Sequence, residues 1–334
     1  MRRLISFGKS SYIVSLPKLW IDKNKLKKGD LISIEESKEG LLLKISKTEL
    51  KKEEPQSIVI NAENKNLSQL KTEIVSAYLN NYGIIEVISG DLKTNAPAVR
   101  DMLHGLSGLE IINQSSTRIV AKDLININEI SIKTLIRRMD NITRAMMQDA
   151  LECFDGVDHT DSLAHIDEEV NRLHFLTYRV IRSGLKDVRI ANSLGASSLK
   201  LHSDHTVTTK IEAIADNVKM IARYLKDTRL DKKWSNELKE IFKIIKQSYS
   251  DVMKAYHTND EKIALEIEEI NKEKVIACEK FFDKHNHKDL KYKNGTKPGV
   301  CDFRLACGAT TKIIENMKEM ASGVKYISRA VIGG

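Results

Sequence analysis

Glu212 and Asp216 stand four residues apart in the segment DHTVTTKIEAIADNVKMIA, residues 204–222, whose apolar residues recur at helical spacing. Four residues is just over one helical turn, so both carboxylates leave the same side of the helix. Like charges so placed repel by a few tenths of a kcal/mol unless something positive stands between them. A hard cation held by oxygen ligands would do that. Asp167 and Asn171 form a second pair at the same spacing on the preceding helical segment. Glu315 and Glu319, with Glu268 and Asn271 opposite, repeat the arrangement further along. The alternative is a solvated acidic face, the commoner fate of charged pairs at this spacing. His165, His202 and His205 flank the acidic segments without the HExxH spacing of a zinc site. No Ser-His-Asp or Cys-His arrangement is legible, so nothing marks a catalytic nucleophile and the expectation is a protein that is not an enzyme.

These residues need helices to position them, and the second part of the chain supplies helical periodicity throughout. The spacing predicts helices over 131–155, 161–184, 204–227, 234–258, 260–285 and 303–332. LKDVRIANSLG (185–195) and HKDLKYKNGTKPG (287–299) read as the connections before the third and the sixth. An internal repeat runs through this region: IDEEVN begins at 166 and EIEEIN at 266, a spacing of 100 residues. Ile211, Glu212, Ile214, Asp216, Val218 and Ile221 match Ile314, Glu315, Met317, Glu319, Ala321 and Val324 at a spacing of 103. The apolar members fall on one helix face. Two three-helix units follow, 131–230 and 234–332. Chance similarity between amphipathic helices is the competing explanation.

The front of the chain reads differently. RRLISF, SYIVSL, LISIEE and LLLKIS are short runs suited to strands. Pro17 can open a short helix at its first position, and KKGD (27–30) and KEG (38–40) mark turns. Residues 1–47 hold 11 Lys/Arg against 5 Asp/Glu, the densest positive charge in a chain of 334 residues with net charge +8. A concentrated basic module points to phosphate, most often nucleic acid. So small a unit buries too little to be stable alone, so a second copy is expected. KTELKKEEPQS (47–57) reads as a linker. Residues 57–127 then run β-α-β-α-β-β, a small α/β sandwich, with Ser68 as a candidate cap and Gly83 as the stop of its first helix. That stretch has no glycine-rich phosphate loop and no nucleophile elbow.

Cys153, Cys278, Cys301 and Cys307 form no CxxC and fit reduced thiols. There is no signal-peptide pattern and no run of about 18 apolar residues. A cytoplasmic protein with no membrane insertion is expected.

GKSSYIVSLPKLWIDKNKLKKGDLISIEESKEGLLLKI, within residues 1–47, resembles the swapped-hairpin DNA-binding domain of AbrB/SpoVT/MazE-like regulators. Residues 204–222 resemble the PhoU motif, whose core reads E-R-I-[GA]-D-x-[AV]-x-x-I-A, and IDEEVNRLHFLTYRVIRSGL resembles the preceding PhoU helix. PhoU proteins are built from two three-helix repeats. The resemblance implies a multidomain chain: an all-β swapped-hairpin domain (1–47), a central α/β sandwich (57–127) and an all-α PhoU-like part of two three-helix repeats. It implies that the first module dimerises by exchanging strands and binds DNA, with Arg2, Arg3, Lys9, Lys18, Lys23 and Lys25 chosen by position. It implies a regulator of phosphate uptake whose helical part senses phosphate status, with a phosphate ABC transporter or a sensor kinase as partner.

PhoU-like proteins ligate a divalent or iron-type metal ion through paired E/D-x-x-x-D motifs. Glu212 and Asp216 keep that motif. Asp167 keeps the first acid of its pair, with Asn171 as partner, and an Asn carbonyl can ligate a hard cation without adding charge. Ile267 and Asn271 mark a lost pair in the second repeat, while Glu315 and Glu319 keep acidity with a different chain length. Two other functions remain open on the sequence: an adaptor that docks a phosphate transporter or kinase without binding DNA, and a metal-dependent hydrolase using Glu212 and Asp216.

Overall fold

The computed structural model describes residues 3–37, 40–45, 55–90, 92, 94–228, 230, 232–269, 278, 280–281 and 300–334. The chain divides into two compact units, 1–54 and 55–334.

The first unit contains two separate hairpins. Strands β1 (Ile5–Phe7) and β2 (Ser11–Ile13) pair antiparallel with Ser6 opposite Tyr12. Gly8, at φ 72°, takes the left-handed turn between them that a side chain would disfavour. Strands β3 (Ile32–Ser37) and β4 (Gly40–Ile45) pair with Ile34 opposite Leu43. Between the hairpins lies α1 (Lys18–Lys23). Pro17 is its N-cap rather than its first residue: at ψ 129° it is still extended, while its carbonyl accepts from Trp20 N at 3.0 Å and Ile21 N at 3.2 Å. The KKGD turn closes when Lys27 N donates to Asp30 Oδ2 at 2.7 Å.

The second unit begins with the four-stranded sheet. Strands β5 (Ser57–Asn61), β6 (Ile84–Ile88), β7 (Leu109–Gln114) and β8 (Arg118–Asp123) lie in the order β5-β6-β8-β7. The β5–β6 pair is parallel, as a connection through a helix allows, and the other two pairs are antiparallel. Helix α2 (Leu67–Leu79) makes the crossover and α3 (Ala96–His104) joins β6 to β7. Leu70, Ile74 and Tyr78 of α2 and Val99 and Leu103 of α3 bury against Ile60, Ile85, Val87, Ile119 and Ala121 of the sheet. Ser68 is not the cap of α2. Asn66 is: its side chain accepts from Gln69 N at 2.9 Å, and Gln69 returns the bond to Asn66 N at 3.1 Å. The helix ends at Leu79, short of Gly83, because Asn81 turns left-handed at φ 62°.

The remaining described elements are helices. Helices α4 (Ile132–Cys153), α5 (Thr160–Lys186), α6 (Val188–Ser193), α7 (Ser198–Asp227), α8 (Lys232–Thr258), α9 (261–269) and α10 (Val300–Ile332) follow in order. Two expectations are corrected. The segment 185–195 is not a plain connection: Asp187 caps α6 by accepting from Arg189 N at 2.8 Å. Helix α7 starts at Ser198 rather than 204, because Ser197 caps it, accepting from Lys200 N at 3.1 Å. The expected connection 287–299 and much of the expected helix 260–285 lie outside the described residues.

Helix α7 forms the spine of the bundle. Its Ile211, Ile214, Val218 and Ile221 are buried, and so are Ile314, Met317, Ala321 and Val324 of α10. The residues matched at a spacing of 103 therefore bury the same face in both helices. Gly323 lets the two approach closely, since a Cβ there would lie 3.0 Å from the Ile214 side chain.

Candidate functional site

The chain offers three groups of residues for inspection: the basic N-terminal unit, the acidic cluster on α5 and α7, and a buried junction between the α/β part and the bundle.

In the N-terminal unit no described residue is buried. Leu4, Ile5, Phe7, Tyr12, Val14, Leu31 and Leu41 are exposed, with Tyr12 at 68%. A single copy thus leaves its apolar side chains in water, where each would gain about 1.5–3 kcal/mol on full burial. Arg3, Lys9, Lys18, Lys23 and Lys25 are exposed too. Lys9 sits in the β1–β2 turn, Lys18 and Lys23 at the two ends of α1, and Lys25 just beyond it in the left-handed region, at φ 53°. Arg2 lies outside the described residues.

The acidic cluster comes together as the spacing suggests, with an addition the spacing did not announce. Asp167, 3% exposed, projects from α5. Lys219 reaches across from α7, and its Nζ donates to Asp167 Oδ2 at 2.6 Å and to Asp216 Oδ1 at 2.5 Å. Asn171 Nδ2 donates to the same Asp167 Oδ2 at 3.1 Å. Glu212 stands near enough to feel both aspartates. Its removal from water, followed by the charges of Asp216 and Asp167, pushes its carboxyl up to about 6. Burial also pushes Asp167 up, against the pull of Lys219. For Lys219, burial opposes the ammonium, but the two aspartates outweigh it and raise its pKa.

The position between Asp167 and Asp216 is therefore filled by the ammonium of this chain. Asn171, which could offer an oxygen to a cation, instead presents its NH2 group to Asp167. Among the described residues no group of three or more His, Cys, Asp or Glu is arranged to hold a metal ion. The arrangement does not fit a resident divalent or iron-type ion. In the second repeat, Glu315 and Glu319 are exposed, and Glu315 pairs with Lys312 at 3.0 Å. Glu268 pairs with Arg329 at 2.6 Å, Ile267 is buried, and Asn271 lies outside the described residues. Of the flanking histidines, His165 and His202 are exposed, and His205 lies beside Tyr178 with ring centres 4.6 Å apart and the rings tilted by 47°.

The third group was not legible in the sequence. Arg179 of α5 is 2% exposed, and its guanidinium lies 4.5 Å over the ring of Tyr78 on α2. Its Nε donates to Asn81 Oδ1 at 2.6 Å and its Nη2 pairs with Asp123 at the end of β8. Asn81 Nδ2 donates in turn to Ser183 Oγ at 2.5 Å, and Arg182 Nη2 to Asn80 Oδ1 at 3.0 Å. One arginine thus ties the sheet, α2 and the bundle together. Lys219 had a local signal, a cation three residues after Asp216 on the same face. Arg179 had none, because Asp123 is 56 residues away.

A pocket of about 770 Å³ opens where α4 turns into α5, lined by Cys153, Asp158, Thr160, Lys226 and Lys232 among others. It contains none of the candidate DNA-binding or metal-ligating residues. No described helix is long and apolar enough to cross a membrane.

Comparison with known proteins adds two likenesses. Residues 5–55 match the MazE antitoxin family model, described as antidote-toxin recognition MazE, bacterial antitoxin. The N-terminal module is thus MazE-like, as its sequence led one to expect. The structure is similar to PhoU from Pseudomonas aeruginosa, with 14% sequence identity and a TM-score of 0.48, over 60% of this chain and 93% of that one. No curated protein matches the sequence.

Proposed function

We propose that the chain is a homodimeric DNA-binding regulator of phosphate uptake, with the MazE-like unit on DNA and the helical bundle receiving the signal or a partner. The observation that carries this is the state of the N-terminal unit. It is a compact unit, it buries no described residue of its own, and it is rich in exposed Lys and Arg. A second copy covering Leu4, Phe7, Tyr12 and Leu31 would complete its core and place two sets of cations side by side. Two such sets suit the phosphates of a duplex, whose backbone supplies most of the affinity. The phosphate connection rests on the likeness of residues 204–222 to the PhoU motif. Among its described residues the bundle brings together no constellation suited to bond-making chemistry, and we assign it no enzymatic activity.

Selection of genomic DNA fragments on the full chain tests this. A regulator enriches one motif, and a chain lacking residues 1–54 enriches none. Failure of the full chain to enrich any motif would favour the adaptor, in which the N-terminal unit serves only to dimerise. A second reading follows from the description of the matching family: the module recognises a toxin partner. A toxin partner would reduce motif enrichment when bound, or would replace DNA altogether.

A further inference from the structure

We propose that Lys219 is the resident cation of the α5–α7 acidic cluster, so that this cluster works without metal, and that its ammonium is what keeps a divalent ion out. The inference does not rest on the DNA-binding reading above. It follows from three observations.

The ammonium is in the right place. It is within hydrogen-bond distance of one carboxylate from each helix, at 2.6 Å from Asp167 and 2.5 Å from Asp216. Both are charge-assisted bonds, a stronger class than bonds between neutral groups. Its side chain is only 26% exposed, so solvent screens the contacts less than it would at an open surface.

The cluster cannot do without a cation. Asp167 is buried, and a buried carboxylate without a positive partner is strongly disfavoured. Among the described residues no donor reaches its Oδ1, and Oδ2 is compensated by Lys219 and Asn171. Glu212 adds a third negative group nearby.

A metal and this ammonium exclude each other. A divalent ion shared by Asp167 and Asp216 would sit about where Nζ sits, and a unit positive charge about 4 Å from it would weaken its binding on the order of a hundredfold or more. A metal ion also asks for more oxygen ligands than remain once Asn171 has turned its NH2 toward Asp167. Lysine supplies one charge where a metal supplies two, which matches a site whose second helical pair has an asparagine in place of an acid.

The test uses the full chain, freed of metal with a chelator and titrated with Mn²⁺, whose free form is read by electron paramagnetic resonance. Wild type is compared with Lys219→Met and Lys219→Gln, and with each of these combined with Asp167→Asn. Wild type is expected to leave Mn²⁺ free and to melt at the same temperature with and without it. Each Lys219 variant is expected to melt lower in chelator, to bind Mn²⁺ at least about a hundredfold more tightly than wild type, and to recover melting temperature as it does so. Adding Asp167→Asn should abolish the gain. Stoichiometric Mn²⁺ binding by wild type that Asp167→Asn removes would overturn the proposal. So would a folded Lys219→Met or Lys219→Gln chain that binds no more Mn²⁺ than wild type. Should both variants fail to fold, a ¹⁵N spectrum of wild type decides. A lysine ammonium signal protected from exchange, lost on Asp167→Asn, supports the proposal, and its absence from wild type contradicts it.

Discussion

Replacing Glu212 by Gln should stabilise the bundle near neutral pH and do nothing for it in acid. The carboxyl of Glu212 sits at about 6 against an ordinary value of 4.5, chiefly because the bundle takes it out of water and secondarily because Asp216 and Asp167 are near. At about 1.4 kcal/mol per tenfold change in proton affinity, that gap corresponds to about 2 kcal/mol. The sign follows from which state holds the proton more tightly. The folded chain does, so the proton's contribution to stability is complete below the unfolded value and is lost as pH rises through the folded one. Wild type therefore surrenders up to about 2 kcal/mol between about pH 4 and pH 7 through this group. Glutamine keeps the shape without the charge and surrenders nothing. Asp167 titrates in both chains and largely cancels from the difference. Urea unfolding followed by far-ultraviolet circular dichroism at a series of pH values between these limits measures it. The stability of the variant minus that of wild type should be near zero in acid and climb through pH 5 and 6 to about 2 kcal/mol. A difference that stays flat, or one that falls as pH rises, would refute the placement of Glu212 in a desolvated, negative surrounding.

Two further outcomes follow from the packing. Arg179→Met removes the cation between Asp123 and Asn81, leaving a nearly buried carboxylate unpaired, and should destabilise the second unit by about 3–5 kcal/mol; a melting temperature within a degree or two of wild type would contradict the junction. Asn66→Ala breaks the capping box of α2 and should remove about 1 kcal/mol, with hydrogen exchange rising first in the amides of the first turn.

Much of the architecture was open to reading because it is written in local pattern. The strands of the first unit follow the runs that suggested them to within a residue or so at most ends, and α4, α5 and α8 follow the helical spacing to within a few residues. What escaped was set by particular polar atoms. Ser197 and Asp187 begin helices inside a stretch that reads as a loop, because a cap is a single side chain bonding one backbone amide and leaves no periodicity behind. Ser68 has the residue type of a cap, whereas Asn66 caps α2 and forms a box with Gln69. The acidic pairs were legible as pairs, and their burial was not. The spacing places Glu212 beside Asp216 equally well on a wet face or a dry one, and only the packing of α5 against α7 decides which. The same holds for Lys219, which looks like an ordinary surface lysine until Asp167 is brought to it. The opposite failure is Glu315 and Glu319, an equally good pair that stays in solvent. The contacts of Arg179 depend on tertiary structure alone.

The central claim is that the basic N-terminal unit binds DNA specifically and largely through phosphates. Fluorescence anisotropy of the full chain on DNA from upstream of phosphate-transport genes, beside scrambled DNA and across a range of salt, tests it most directly. About six phosphate contacts should make log K fall with log salt at a slope near −5, and an Arg3→Ala/Lys9→Ala chain should show a shallower slope by roughly one for each contact removed. Tighter binding to the natural sequence with that dependence is the expected result. Equal, weak binding to both DNAs, unchanged in the variant, would contradict the claim and leave the N-terminal unit a dimerisation module.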